Sequence, residues 1–317
     1  MRLKFAPDEK EKIASIIKAW APSQVTQRVF DTIRSDFGIP RGLVQTMFWH
    51  VDTLLAITSL DWLVFKGGTC VQSYVPYGLQ RASDDLDFNS NIENPNAIRA
   101  ELKKWNKTAL EKGNAVLVRG LAFGALELIY QDKLSGTLTF KRRMPSKFGD
   151  MELVGDKEIQ AKALKVQINY KHAWLPAIKT VKKPVDFFIM KYQRPKRKVM
   201  VVHSSPEDLI VDKMIAISKA NPSHREKFKD VYDLWTLLRE KRNTKNIKEK
   251  SDAVTGAMGI DWASLKDGAV QTISDLGERG HMARDHSALV CKDGRKELED
   301  WEGFCQRTVK AIIKSMG

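Results

Sequence analysis

Cysteine is scarce in this sequence. Cys70, Cys291 and Cys305 are the only three among 317 residues, far apart and odd in number. That excludes a disulfide framework and supplies no zinc-knuckle spacing. No stretch approaches the ~18 uninterrupted apolar residues of a membrane-spanning helix. The opening Met1-Arg2-Leu3-Lys4-Phe5-Ala6-Pro7-Asp8 turns charged at once and lacks the apolar region of a secretory signal. Histidine is also sparse: His281 and His286 near Cys291 read as loop, and His50 on an apolar helix reads as core. Neither a Gly-x-Ser-x-Gly elbow nor an internal repeat occurs. These absences lead to the expectation of a reducing, cytoplasmic setting and no membrane partner.

Acidic residues are outnumbered, with Asp and Glu totalling 39 against 53 Lys and Arg, a formal net charge of +14. The excess is concentrated. Residues 133 to 198 hold 17 basic and 5 acidic side chains, which gives +12 within one segment. Its clusters are Lys141-Arg142-Arg143 and Arg194-Pro195-Lys196-Arg197-Lys198. Such a field recruits polyanions, because each neutralised phosphate releases counterions. No basic amphipathic helix stands out, so nucleic acid is favoured over a membrane surface. Lys141, Arg142, Arg143, Arg194, Lys196, Arg197 and Lys198 are the candidate contacts. Trp105, Trp174, Tyr170 and Tyr192 border the segment and suit either base stacking or the core.

With 43% hydrophobic residues the chain can bury a sizeable core, and its length suits about two domains. Apolar spacing predicts helices over 8–20, 43–57 and 96–112. Strands are expected at 62–65, 85–88, 116–118, 126–130, 136–140, 164–170, 185–190 and 199–202. Ser205-Pro206-Glu207-Asp208 carries a helix start, with Ser205 as cap and Pro206 in the first turn. Helices are expected beyond it, over 209–219, 225–239 and 296–315. The class is α+β, divided into residues 1–204 and a helical part, 205–317.

The chemistry is concentrated in Phe65-Lys66-Gly67-Gly68-Thr69 and Arg81-Ala82-Ser83-Asp84-Asp85-Leu86-Asp87-Phe88. In a strand, Asp85 and Asp87 share one face while Leu86 and Phe88 turn to the core. Two converging carboxylates favour a hard divalent cation, Mg²⁺ or Mn²⁺. Gly67 and Gly68 permit close approach of backbone N–H groups to a phosphate, and Thr69 and Ser83 add hydroxyls.

These residues resemble the AbiEii/AbiGii-type nucleotidyltransferase toxins of type IV toxin–antitoxin systems, within the DNA polymerase β-like superfamily. The resemblance rests on Lys66-Gly67-Gly68-Thr69 and Arg81-x-Ser83-x-Asp85-Leu86-Asp87. It extends to Ser205-Pro206-Glu207-Asp208-Leu209, Lys213-Met214-Ile215-Ala216 and Lys229-Asp230-Val231-Tyr232-Asp233-Leu234. It implies a mixed sheet of the nucleotidyltransferase fold flanked by helices. It also implies a nucleoside triphosphate substrate, a tRNA extended at its 3′ acceptor end, and an antitoxin encoded alongside. Lys213, part-desolvated on its helix, would neutralise the triphosphate; Asp230 would pair with it or act on the acceptor hydroxyl; Asp233 reads as a structural pair or cap.

One departure concerns the third carboxylate that the superfamily usually places on a later strand. Here the expected positions are Gln167 and Asn169, whose amides cannot act as a base, with Asp186 as an alternative. Two rival readings follow. One is a small-molecule nucleotidyltransferase, which the basic segment disfavours. The other is a lapsed relative that only binds RNA or protein.

Overall fold

Alternation between apolar and polar side chains sets which face of each strand is buried. The computed structural model describes residues 2–16, 27–144, 152–154, 163–171, 179–192, 198–218, 227–240, 244–259, 261–279 and 287–316. Strands β1 (Arg2–Lys4) and β8 (Glu152–Val154) form a small antiparallel pair. The main sheet is assembled from β2 (Leu63–Lys66), β3 (Asp85–Ser90), β4 (Val116–Val118), β5 (Leu121–Phe123), β6 (Leu126–Asp132), β7 (Thr137–Arg143), β9 (Ala163–Asn169), β10 (Thr180–Pro184) and β11 (Met200–Ser204). Its order is β10-β11-β2-β3-β9-β7-β5-β4, with β6 paired to β7. The sheet is mixed: β3 runs parallel to β9 and antiparallel to β2, and β9 runs antiparallel to β7.

One face of this sheet is apolar. Leu86, Phe88, Leu138, Phe140, Val166 and Ile168 are buried there with Met47, Phe48 and Val51 of α3 (Arg41–Ala56) and Ile98 and Leu102 of α5 (Pro95–Glu111). His50 of α3 is fully buried, as expected of a core histidine. Helices α1 (Pro7–Ala14) and α2 (Gln27–Phe37) precede them, and the short α4 (Gly67–Val71) follows β2 directly.

After β11 every described element is helical: α6 (Pro206–Ser218), α7 (Lys227–Leu238), α8 (Thr244–Met258), α9 (Trp262–Glu278), α10 (Lys292–Leu298) and α11 (Trp301–Met316), with a short 3₁₀ turn before α10. Ser205 caps α6 as anticipated: its hydroxyl accepts from the Asp208 N–H at 3.1 Å and donates to the Asp208 carboxylate at 2.8 Å. Leu209, Met214, Leu234 and Trp235 join the same core as the strands, so the helical part and the sheet share one apolar interior.

Several expectations are corrected. Residues 185–190 form no strand: Phe188–Tyr192 is a 3₁₀ turn whose apolar side chains enter the core without pairing. Strand β10, with Lys182, Lys183 and Pro184, was not expected. It is an edge strand, where charge and proline are tolerated. Arg142 is not a surface cation. It is fully buried on the α3 side, donating to the Gly124 carbonyl at 2.8 Å and the Thr53 hydroxyl at 2.7 Å, and it pairs with Asp52 at 3.2 Å. Alternation explains this, since Arg142 follows Leu138 and Phe140 onto the core face. Tyr170 is buried, and Trp105 and Tyr192 are half-buried against the core. Ile17, Trp20, Trp174, Arg194, Lys196, Arg197, Arg225, His281 and His286 lie outside the described residues.

Candidate active site

Opposite the apolar face, polar side chains line up across four strands. Lys66 on β2, Asp87 on β3, Gln167 on β9 and Thr139 on β7 are successive register partners. Asp85 lies beside Lys165, and Asn169 beside Thr137. Helices α6 and α7 close one side, leaving a cleft of about 260 Å³ lined by Lys66, Gly67, Asp87, Gln167, Asn169, Asp212, Lys213 and Asp230, among others. The sequence-derived half-sites therefore meet, although they lie far apart in the chain.

The turn after β2 has little room for anything but glycine. Gly67 has φ +73°, and a Cβ there would sit 2.2 Å from Asp87 Oδ2. A Cβ on Gly68 would sit 2.1 Å from Arg81 Nη2 and 3.0 Å from Asp233 Oδ2. The space a side chain would fill is thus taken by the protein's own carboxylates and guanidinium, a requirement separate from any phosphate. Thr69 is buried, and its hydroxyl donates to the Asp85 carbonyl oxygen at 2.6 Å, tying α4 to β3. The Ser83 hydroxyl donates to Asp85 Oδ1 at 3.4 Å.

Burial and the Asp85 charge push the Asp87 carboxyl up to about 7, against the pull of Lys66, Lys213 and Lys165. A cation between the two aspartates would relieve this cost. The pair fits a divalent ion held by one or two carboxylates together with substrate phosphates. Gln167 and Asn169 face the cleft as expected, so the strand beside β3 offers amides where a third carboxylate was sought. Asp186 does not join them; it accepts a short hydrogen bond from the Tyr77 hydroxyl elsewhere.

Lys213 enters from α6. Its ammonium lies 2.7 Å from Asp230 Oδ1 and 2.8 Å from Asp233 Oδ2. Burial works against its charge, but the two carboxylates outweigh burial and hold it firmly protonated. Asp233 is fully buried and receives Arg81 in a fork, Nε to Oδ1 at 2.7 Å and Nη2 to Oδ2 at 2.6 Å. Burial would raise the Asp233 carboxyl, yet Arg81 and Lys213 together hold it below its ordinary range. The expectation that Asp233 is a structural pair thus acquires its partners.

Asp230 is the more open acid, 21% exposed, with Lys227 3.8 Å from its second oxygen. Asp212, one residue before Lys213, also lines the cleft and was missed, because a carboxylate beside a functional lysine on one helix looks like surface charge. Thr137 was missed for a similar reason: its neighbours Leu138 and Phe140 advertise a strand, not a site.

The model of a family described as nucleotidyl transferase AbiEii toxin, type IV TA system, matches residues 54–286. That span includes both half-sites. A putative nucleotidyltransferase from H. pylori is similar in structure at 16% identity, covering 92% of this chain and 100% of that one with a TM-score of 0.39. An antigenic nucleotidyltransferase-like protein from Paracoccidioides brasiliensis is similar at 15% identity, covering 71% of this chain and 92% of that one with a TM-score of 0.34. No curated protein sequence matches.

Proposed function

The chain belongs to the AbiEii nucleotidyl transferase toxin family, and from that premise we propose that it transfers a nucleoside monophosphate from a nucleoside triphosphate to the 3′ acceptor end of tRNA, releasing pyrophosphate and blocking translation. The observation that carries this reading is the convergence of Asp87 with Lys213 and Asp230 on one cleft, with Asp85 two residues away on the same face of β3. Lys66 and Gly67 border the space for the triphosphate, with Gly68 next in the turn and Ser83 beside Asp85. Lys213 offsets charge gathering on the leaving pyrophosphate. Asp230, the exposed partner of Lys213, accepts the proton of the attacking acceptor hydroxyl, because the amides of Gln167 and Asn169 have no basic lone pair for it. Mg²⁺ or Mn²⁺, held by Asp85 and Asp87, would supply Lewis-acid neutralisation of the phosphate oxygens.

The open face of the sheet beside the cleft, rather than the cleft lining itself, favours an anionic acceptor over a cationic small molecule. Lys66, Lys165 and Lys141 stand on the open face of the sheet in register with the two aspartates or one strand further on. Family membership further implies a cognate antitoxin as partner, and a cytoplasmic setting suits a tRNA substrate; no described helix is long and apolar enough to cross a membrane.

The test is incubation with total tRNA, Mg²⁺ and each of four labelled nucleoside triphosphates, beside an Asp85→Ala, Asp87→Ala double variant. Label on tRNA with wild type alone supports the reading and identifies the nucleotide. Label on small molecules alone replaces it with the small-acceptor reading. Absence of both transfer and nucleotide binding leaves the lapsed RNA- or protein-binding module.

A further inference from the structure

The register line that contains Asp87 does not end at Thr139. It continues to Tyr130 on β6, so Lys66, Asp87, Gln167, Thr139 and Tyr130 form one row across five strands. Register partners project to the same side, and Tyr130 is 61% exposed. Three strand spacings of about 4.8 Å put Tyr130 roughly 14 Å from Asp87 along the sheet. At about 3.4 Å per stacked nucleotide, that is the reach of roughly four unpaired nucleotides.

The row beside it carries two lysines, between Asp85 and Glu127. Lys165 partners Asp85, Lys141 partners Lys165, and Arg143 lies two residues further along β7. Glu127 pairs with both Lys141, at 3.7 Å, and Arg143, which leaves this half-buried trio net positive, and Lys165 beside it is exposed. Between Asp87 and the aromatic the row consists of Gln167 and Thr139, uncharged groups that hydrogen-bond without repelling phosphate. The β-bulge between Leu128 and Tyr130 shifts the register of β6 there, bringing Tyr130 opposite Thr139.

We propose that Tyr130 is a stacking platform for an unpaired base of the nucleic-acid acceptor, a few nucleotides back from the terminus that enters the cleft, with the backbone following Lys165 and Lys141. This subsite rests on the transferase reading for its purpose, but its occupancy can be measured without turnover. The face would then select acceptors with a single-stranded 3′ end over blunt duplexes, since a base about four positions inside a duplex is stacked on both sides and has no free face to offer the ring.

The experiment measures binding of two labelled RNA hairpins by fluorescence polarisation, one with a four-nucleotide unpaired 3′ end and one blunt. The proteins are wild type, Tyr130→Ala and Tyr130→Phe. The Ala variant should weaken binding of the overhang hairpin roughly tenfold, while the Phe variant stays within about twofold, because the ring supplies the contact. Neither should alter binding of the blunt hairpin. An unchanged overhang affinity in Tyr130→Ala, or an equal loss on both hairpins, overturns the platform. A transfer assay on the same preparations separates the two ideas. Tyr130-dependent binding, with wild type showing neither transfer to total tRNA nor nucleotide binding, keeps the platform and removes the transferase, whereas transfer with Tyr130-independent binding does the reverse.

Discussion

Arg81 and Asp233 meet as a two-pronged buried ion pair, with guanidinium nitrogens 2.7 and 2.6 Å from the two carboxylate oxygens. The arginine precedes β3 and the aspartate belongs to α7, so the pair bolts the acidic strand to the helix that carries Asp230. Lys213 shares Asp233 at 2.8 Å, and Gln72 accepts from the Arg81 backbone N–H at 2.7 Å. Removing one partner leaves an uncompensated buried charge, which costs about 3–5 kcal/mol. Asp233→Ala should therefore lower stability by that order in chemical denaturation. Asp230→Ala, on the more open side of the same lysine, should lower it far less.

Lys213 should be separable from the fold by chemistry. Lys213→Ala removes the cation facing the cleft, and loss of one such electrostatic contact costs about 10²–10³ in kcat. Nucleotide transfer measured under saturating substrates should fall by that factor. Lys213→Arg should recover only part, because a planar fork does not reproduce a compact ammonium held between two carboxylates.

The raised Asp87 carboxyl carries a pH signature. Its pKa rises from 3.8 in the unfolded chain to about 7 in the fold. Its contribution to stability is therefore complete below 3.8 and is lost as pH climbs through 7. Metal-free protein should lose thermal stability across that window. Asp87→Asn should remove this slope and melt a few degrees higher than wild type at pH 8, and Mg²⁺ should raise the melting temperature of wild type but not of the variant. Differential scanning calorimetry with and without chelator checks all three.

Gly67→Ala should be damaging although it adds one methyl group. The left-handed φ and the 2.2 Å approach to Asp87 both resist a Cβ, and strain of this kind costs about 1–3 kcal/mol. Nucleotide affinity and melting temperature should fall together. Gly42→Ala is the control: a Cβ there meets nothing within 4 Å, and the residue lies inside helix α3.

Much of the cleft was legible because its pieces are local. The alternation Asp85-Leu86-Asp87-Phe88 fixes which face each side chain takes, and β3 obeys it. Ser205 and Pro206 mark the start of α6 in the same local manner. Lys213 and Asp230 were found through their resemblance to a family pattern, since periodicity alone leaves Lys213 indistinguishable from a lysine reaching out of a core helix. The clamp through Asp233 was legible only as a pairing of unknown partner, because Arg81 lies on the other half-site and no local rule joins them. Arg142 shows a signal left unused. Its basic neighbours hid the alternation Leu138, Phe140, Arg142 that sends it inward to Asp52. The exposed aromatic went unnoticed for a comparable reason, because the bulge in β6 breaks the period by which Tyr130 would be assigned a face.

The division of the cleft between β3 and the α6–α7 pair has a bearing on how the molecule comes into being. A ribosome makes Arg81, Asp85 and Asp87 early and Lys213, Asp230 and Asp233 more than a hundred residues later. A nascent chain that has emerged only as far as β11 holds two aspartates that repel each other and an arginine without its carboxylate. The later helices bring Asp233 to Arg81 and Lys213 to the acidic strand at the moment they dock, so closing the cleft and completing the buried clamp are one event. Interrupted synthesis accordingly leaves fragments that hold half a cleft.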